Sequence, residues 1–404
     1  MADKLNQHWI PQHHLRLFSN GNRYIHVILR DGSKMALYAS IKDQCARRLF
    51  YGNIEMENWL GALESRHAAL YRRILQFASE SRFGSMCSAD DLQLRQALLV
   101  QRARTPRNAH VSAHSMDQAF LYTYREYLQM EPSTPQRDET IRAIDQGRAS
   151  LKNSEFMSLM LAIRNACGMV KIIKDLRLLI LRNQTSIPFV VGDAPSVLSN
   201  PYMSDVKEHG VLGYSTRGLM ISMPINSKLQ ILLFDRAVYR AASYSADCVD
   251  VIKDEDVSAL NIMQVYAAQA CVYFADHAHS GYIKELIAQH PPTPNDHKGG
   301  FNVLSRVQQL NKGSEILHTY EPKLPEQPNK GSEILHMYEP QLPVFLYLSF
   351  VRVKSRPPGL NLNTPRKPSI VNQMEQSVMG GQKKGSIGID ALVHMVEAGL
   401  IIRS

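Results

Sequence analysis

Met56, Leu60, Leu63, His67, Leu70, Ile74 and Phe77 follow a four-three spacing, and no other feature limits the fold of this chain so sharply. The spacing lays one core-facing stripe along a long amphipathic helix. A second helix is expected from Ser88, which with Asp91 resembles a capping box carrying the shorter acid. It should end near Pro106, whose ring pushes Thr105 out of the α region. Helical patterns run on to about Leu176, broken around Glu131–Arg137 by a Pro/Ser/Thr loop. There the period changes. Leu178–Leu181, Pro188–Val191, Leu219–Pro224 and Leu229–Phe234 are short apolar runs separated by Gly, Asn, Asp and Pro, as strands are. A helix over about Asp254–Phe274 and another over Tyr282–Ile287 follow. Helices and strands come in blocks and do not alternate, which argues against a doubly wound parallel sheet. The expected class is α+β: a helix-rich core, an N-terminal β-hairpin, a small, mostly antiparallel sheet after residue 178, and a largely irregular C-terminal tail.

Two N-terminal features complete this outline. Residues 8–19 read as a short helix with Pro11 in its first turn, where a missing N–H costs nothing. Arg23–Arg30 and Ser33–Ser40 flank Asp31-Gly32, the strongest short signal for a hairpin with a type I′ turn.

The tail sets itself apart. A domain over 1–290 is expected, then a Pro/Gly-rich linker over 291–388, one strand near Val344–Leu348 and a short amphipathic helix over 389–404. Within the linker NKGSEILHTYEPKLP (311–325) recurs as NKGSEILHMYEPQLP (329–343), with a period of 18 residues. Two copies are too few for a solenoid. They read as a duplication in a tolerant linker or as a doubled motif, Ile-Leu-His-x-Tyr, for a protein partner.

Composition excludes more than it assigns. The five cysteines (Cys45, Cys87, Cys167, Cys248, Cys271) are far apart with no Cys-x-x-Cys pair, which argues against a disulfide framework or a zinc module. The N-terminus lacks the pattern of a signal peptide, and no apolar run approaches the roughly 20 residues needed to span a bilayer. A cytoplasmic location without membrane association is therefore expected. The net charge is +9, and residues 298–404 hold 13 Lys/Arg against 8 Asp/Glu, so over half the excess lies in the tail. Such charge points to a nucleic acid or another polyanion as partner or, since it forms no stripe or arm, is simply that of a moderately basic protein.

The phosphate-loop, dinucleotide, His-Glu-x-x-His and Gly-x-Ser-x-Gly signatures are all missing. Other polar groups stand out by their setting. His8 precedes a helix anchored by Leu15 and Phe18, where its imidazole can titrate, bind metal or simply pack. Glu64 borders the leucine stripe with Gly61 and Ala68 on the same face; partial desolvation would push its carboxyl toward acid/base use, and the alternative is a solvated charge. On the next helix the apolar stripe turns polar at Gln101, and Arg104 beside it can clamp a carboxylate or phosphate or bond the last helix carbonyls. Asp193 follows a buried strand and precedes Pro195, a place for a functional carboxylate or an Asx-turn. Asn261 and Gln264 add polar groups to a buried stripe. The pair His277 and His279 lacks a clear third ligand.

Taken in order, these landmarks resemble the bacterial domain of unknown function 4238 family. His8-Trp9-Ile10-Pro11 with Leu15 and Phe18 is similar to its His-x-Val/Ile-Pro…Leu-x-x-Phe signature, and the hairpin with Phe50-Tyr51 follows as it does there. Leu63-Glu64-Ser65, Arg104-Thr105-Pro106, Asp193-Ala194-Pro195, Met223-Pro224-Ile225 and Asn261 resemble further family positions. The resemblance spans about residues 6–280 and implies no particular reaction. One departure is Gly192, where the family usually has Ser or Thr.

The leading expectation is a hydrolase-like domain, acting on a phosphodiester, in which His8, Glu64 and Asp193 are catalytic and could share a divalent ion. Gln101, Arg104 and Asn261 would bind substrate, with Arg104 neutralising developing negative charge. The alternative is a non-catalytic binding or regulatory protein whose polar cluster is structural and whose basic tail recruits a partner.

Overall fold

The computed structural model describes residues 5–19, 23–79, 87–205, 211–241, 247–292, 299–307, 316–319, 333–339, 341–354, 366 and 400–402. The helices are α1 (Gln12–Arg16), α2 (Ile54–Ser79), α3 (Ser88–Ala103), α4 (Pro106–Met130), α5 (Pro135–Asp145), α6 (Ser154–Met169), α7 (Asp254–Ala267) and α8 (Ser280–Gln289). The protein is α+β as expected. No helix among the described residues is long and apolar enough to cross a membrane.

Its centre is a five-stranded sheet in the order Cys248–Val251, Arg177–Asn183, Leu229–Phe234, Met220–Pro224, Val197–Ser199. All neighbours are antiparallel except the first pair. The strand Arg177–Asn183 shows why its sequence is continuously apolar. Leu178 and Ile180 turn to one face and pack with Leu63 and Leu70 of α2, Leu98 of α3 and Ile163 of α6. Leu179 and Leu181 turn to the other, against Val257, Leu260 and Met263 of α7. A strand covered on both faces cannot alternate apolar with polar.

The second face also takes Leu342, Leu346, Leu348 and Val351 from the tail, so the expected linker is core over this stretch. Ser349 donates through its N–H and its hydroxyl to the Asp256 carboxylate, both at 2.6 Å. Val344–Leu348 is not a strand; the tail pairs with the domain a little later, Val351–Val353 against Tyr239–Ala241. Strands Ile316–Thr319 and Glu333–Tyr338, one from each copy of the repeat, flank Gly300–Val307. Of the helix expected over 389–404, only Leu400–Ile402 is described, and it is a strand on Ala149–Leu151; the rest lies outside the described residues.

Local signals were read with mixed success. The hairpin pairs Tyr24–Leu29 with Met35–Ser40, but its turn is wider than the two-residue type I′ form. The Leu29 N–H donates to the Lys34 carbonyl, and only Gly32 has positive φ, at 73°. The Asp31 carboxylate accepts from the Ser33 N–H and hydroxyl, closing an Asx-type turn that a type I′ geometry would break. Residues 8–19 hold only the five-residue α1, because Asn6–His8 is a strand on Ala46–Arg48. At α3 the cap is Cys87 and Ser88 is already helical; Asp91 pairs instead with Arg95 one turn on. Thr105 is extended and caps α4 through its hydroxyl, with Pro106 at the first helical position. The helix expected over Asp254–Phe274 ends at Ala267, Ala268 is extended, and Cys271–Phe274 becomes a strand beside Tyr24–Leu29. Its Cys-Val-Tyr-Phe run suits a sheet better than a helix.

Candidate functional site

A cleft of about 350 Å³ lies between the N-terminal segment and α2. The segment contributes Asn6, His8, Gln12, His13 and Arg16; α2 contributes Glu57, Gly61, Glu64, Ser65 and Ala68. One α-helical face explains the second set, since 57, 61, 64, 65 and 68 recur at three- and four-residue steps. A Cβ built on Gly61 meets nothing within 4 Å, so the cleft is open beside Glu64.

Arg104 organises the cleft from behind. Its side chain is only 2% exposed and every nitrogen has a protein acceptor. Nε donates to the Tyr51 hydroxyl at 2.8 Å, Nη1 to Glu64 Oε1 at 2.5 Å and Nη2 to the His8 carbonyl at 2.6 Å. Three of its five N–H groups are thus taken by the protein, and the guanidinium sits behind the lining of the cleft. It positions Glu64 and the His8 backbone. Gln101 acts likewise, donating to the Trp9 carbonyl at 2.8 Å. Gln7 fastens the same segment from the other side, accepting from the Tyr51 N–H at 2.6 Å and donating to the Asn53 carbonyl at 2.9 Å.

The histidines are held neutral. His8 Nε2 is 2.9 Å from the Lys42 carbonyl, so this nitrogen carries the proton and Nδ1 keeps the lone pair. Burial lowers the His8 pKa, against the opposing pull of that carbonyl and of Glu64. His13 falls further, to about 3, through burial and then the neighbouring His14, Arg104 and His67. His67 and His14 are each pushed to about 4, chiefly by burial.

The structure brings His8, Glu64, Arg104 and Gln101 together; Asp193 and Asn261 are not among the residues that line the cleft. Asp193 accepts from the Gln269 N–H at 2.7 Å and the Ala270 N–H at 2.8 Å, which ties the end of α7 to the strand after it. Burial pushes its carboxyl up to about 6 despite these bonds. Asn261 accepts from the Val190 N–H and donates to the Pro188 carbonyl, and Gln264 does the same for Gly192 and Pro195. These two amides of α7 stand in for a neighbouring strand, satisfying backbone groups that would otherwise be buried unpaired. Asp193 and Asn261 thus both bond the backbone around them. Among the described residues no cluster of three His, Cys, Asp or Glu side chains is arranged to hold a metal ion, so the ion expected between His8, Glu64 and Asp193 has no such site.

Gly192 is explained in the same place. A Cβ there would lie 2.7 Å from the Gln264 carbonyl oxygen and 3.1 Å from the Ala268 Cβ. Gly192→Ser is expected to destabilise by about 1–3 kcal/mol through overpacking, measured as a lower urea midpoint; an unchanged midpoint would mean that α7 moves aside freely.

Sequence reasoning passed over His13 and Arg16. The signal was present as three histidines in seven residues, His8 to His14, but only the fold shows which of them faces the cleft. No curated protein and no solved structure matches the chain. A family model described as Protein of unknown function (DUF4238) matches residues 6–278, which takes in the cleft, the central sheet and α7. The chain belongs to that family.

Proposed function

We propose that the chain is a hydrolase-like enzyme acting on an anionic ester, a phosphodiester by preference, in the cleft between Asn6–Arg16 and α2. One observation carries the reading: two imidazoles kept neutral beside an ion-paired glutamate and an arginine in a single open cleft. His8 is the better general base. Burial lowers its pKa while the Lys42 carbonyl and Glu64 oppose the shift, whereas His13, at about 3, is too weak to hold a proton near neutrality. In this scheme His8 Nδ1 takes a proton from water, the water oxygen bonds to phosphorus, the ester P–O bond breaks, and the proton passes to the leaving oxygen. Neutral His13 hydrogen-bonds the substrate. Arg16, tethered to the Gln12 amide oxygen at 2.6 Å, neutralises the charge in place of Arg104.

The test is a screen of the purified chain against phosphodiesters and single- and double-stranded nucleic acids, with and without added divalent ions. His8→Ala should lower kcat by roughly 10²–10⁴-fold, Arg16→Ala should raise KM, and Gly61→Leu should block the cleft. Hydrolysis undiminished in both His8→Ala and Gly61→Leu would remove the proposal. The burial of Arg104 against protein acceptors on all three nitrogens favours a second reading, a binding or regulatory protein with a structural polar cluster. Its signature is ligand binding without turnover, abolished by Gly61→Leu.

A further inference from the structure

The two tail copies are nearly the same sequence, and each places a strand beside Gly300–Val307. Past its strand, the second copy packs against the family domain. Glu339 pairs with Arg102, an arginine of α3 that is 8% exposed. Gln341 Nε2 donates to the Met203 carbonyl at 3.2 Å. Leu342 joins the apolar cluster that contains Tyr202 and Met203. The first copy carries Glu321, Lys323 and Leu324 at the same three places. Only Gln341 differs, and the ammonium of Lys323 is likewise an N–H donor for a carbonyl. The chain therefore carries two segments with matching side chains for these contacts.

We propose that the groove formed by Arg102 and Met203 is a peptide-binding site for a Glu-Pro-x-Leu motif, and that residues 321–324 exchange with 339–342 in it within a single chain. Segments tethered one 18-residue period apart present themselves at about millimolar effective concentration, which favours exchange over capture from another molecule. Loop-closure cost rises only slowly with length, so looping out one period is tolerated. The second copy holds the groove in the major state because Leu346, Leu348 and Val351 enter the same core directly after it. The exchange keeps Arg102 paired in both states; a buried guanidinium left without its carboxylate is strongly unfavourable.

The test is a double-mutant cycle on the full chain with Glu339→Gln and Glu321→Gln, read by urea unfolding. Glu321→Gln alone should be silent, because Glu339 already pairs with Arg102. Glu339→Gln should have a muted effect, because Glu321 substitutes. The double variant should lower the folding equilibrium constant about tenfold beyond the product of the single effects. Strict additivity would overturn the proposal. Disulfide trapping in a Cys87→Ser background supplies the second measurement. Met203→Cys with Gln341→Cys should crosslink in most molecules. Met203→Cys with Lys323→Cys should crosslink in a minority that grows about tenfold on adding Glu339→Gln. A 203–341 bond without any 203–323 bond, or 203–323 bonds found only between chains, would equally overturn it.

Discussion

Arg104→Ala should lower the unfolding free energy by about 3–5 kcal/mol, the range for removing one partner from a buried charged network. The substitution strands three groups at once: the Tyr51 hydroxyl, the Glu64 carboxylate and the His8 carbonyl. It also removes a guanidinium lying 5.4 Å from the centroid of the Tyr51 ring, a cation–π contact. Arg104→Lys should recover little, because one ammonium on a flexible stem cannot reach three acceptors set around a planar fork. Urea unfolding at neutral pH provides the measurement. A lysine variant within about 0.5 kcal/mol of the parent, the scatter of ordinary surface changes, would show that Arg104 is not the organising group of the cleft. If the cleft is a working site, the same variants should lose ligand binding before they lose secondary structure.

Acid should destabilise the protein well above the usual carboxylate range. His13, His14 and His67 have folded values of about 3, 4 and 4 against 6.5 for the free side chain. Between those limits the unfolded chain binds more protons than the folded one, so their stabilisation is complete above about pH 6.5 and is lost as pH falls. At pH 5 each costs up to about 2 kcal/mol relative to neutrality. Asp193 works in the opposite direction. Its carboxyl is raised from 3.8 to about 6, so its contribution grows on acidification, by about 1 kcal/mol between pH 7 and pH 5. Three histidines outweigh one aspartate, leaving a net loss on the order of 4 kcal/mol. Urea midpoints at pH 7 and pH 5 decide the matter; equal midpoints would mean that the imidazoles are wetter than their burial implies.

The helical stripe of α2 was legible because burial of one face imposes a period: Leu60, Leu63, His67, Leu70 and Ile74 are buried, while at its two ends Met56 is half-buried and Phe77 exposed. The central strands were legible for a similar reason, as short apolar runs between turn residues. Boundaries were less so. The helix ending at Ala267 merges with the strand Cys271–Phe274 in sequence, since both are apolar and only pairing with Tyr24–Leu29 tells them apart. The clustering of His8, Glu64 and Arg104 follows family-like landmarks read in order, yet their roles did not. A guanidinium buried among protein acceptors and one open to solvent have the same sequence. Asp193 and Asn261 illustrate the same limit, for a buried polar side chain serves whichever backbone groups the fold leaves unpaired.

Periodicity and punctuation, which act over a few residues, were enough to specify the class of fold and the long helix. Tertiary contact decided the rest: that Arg16 rather than Arg104 is offered to the cleft, that α7 replaces a strand along 188–195, and that Leu342–Val351 completes the core of a domain 50 or more residues earlier in the chain. Such choices depend on which surfaces meet, and meeting is a matter of distance in space that spacing along the chain does not encode.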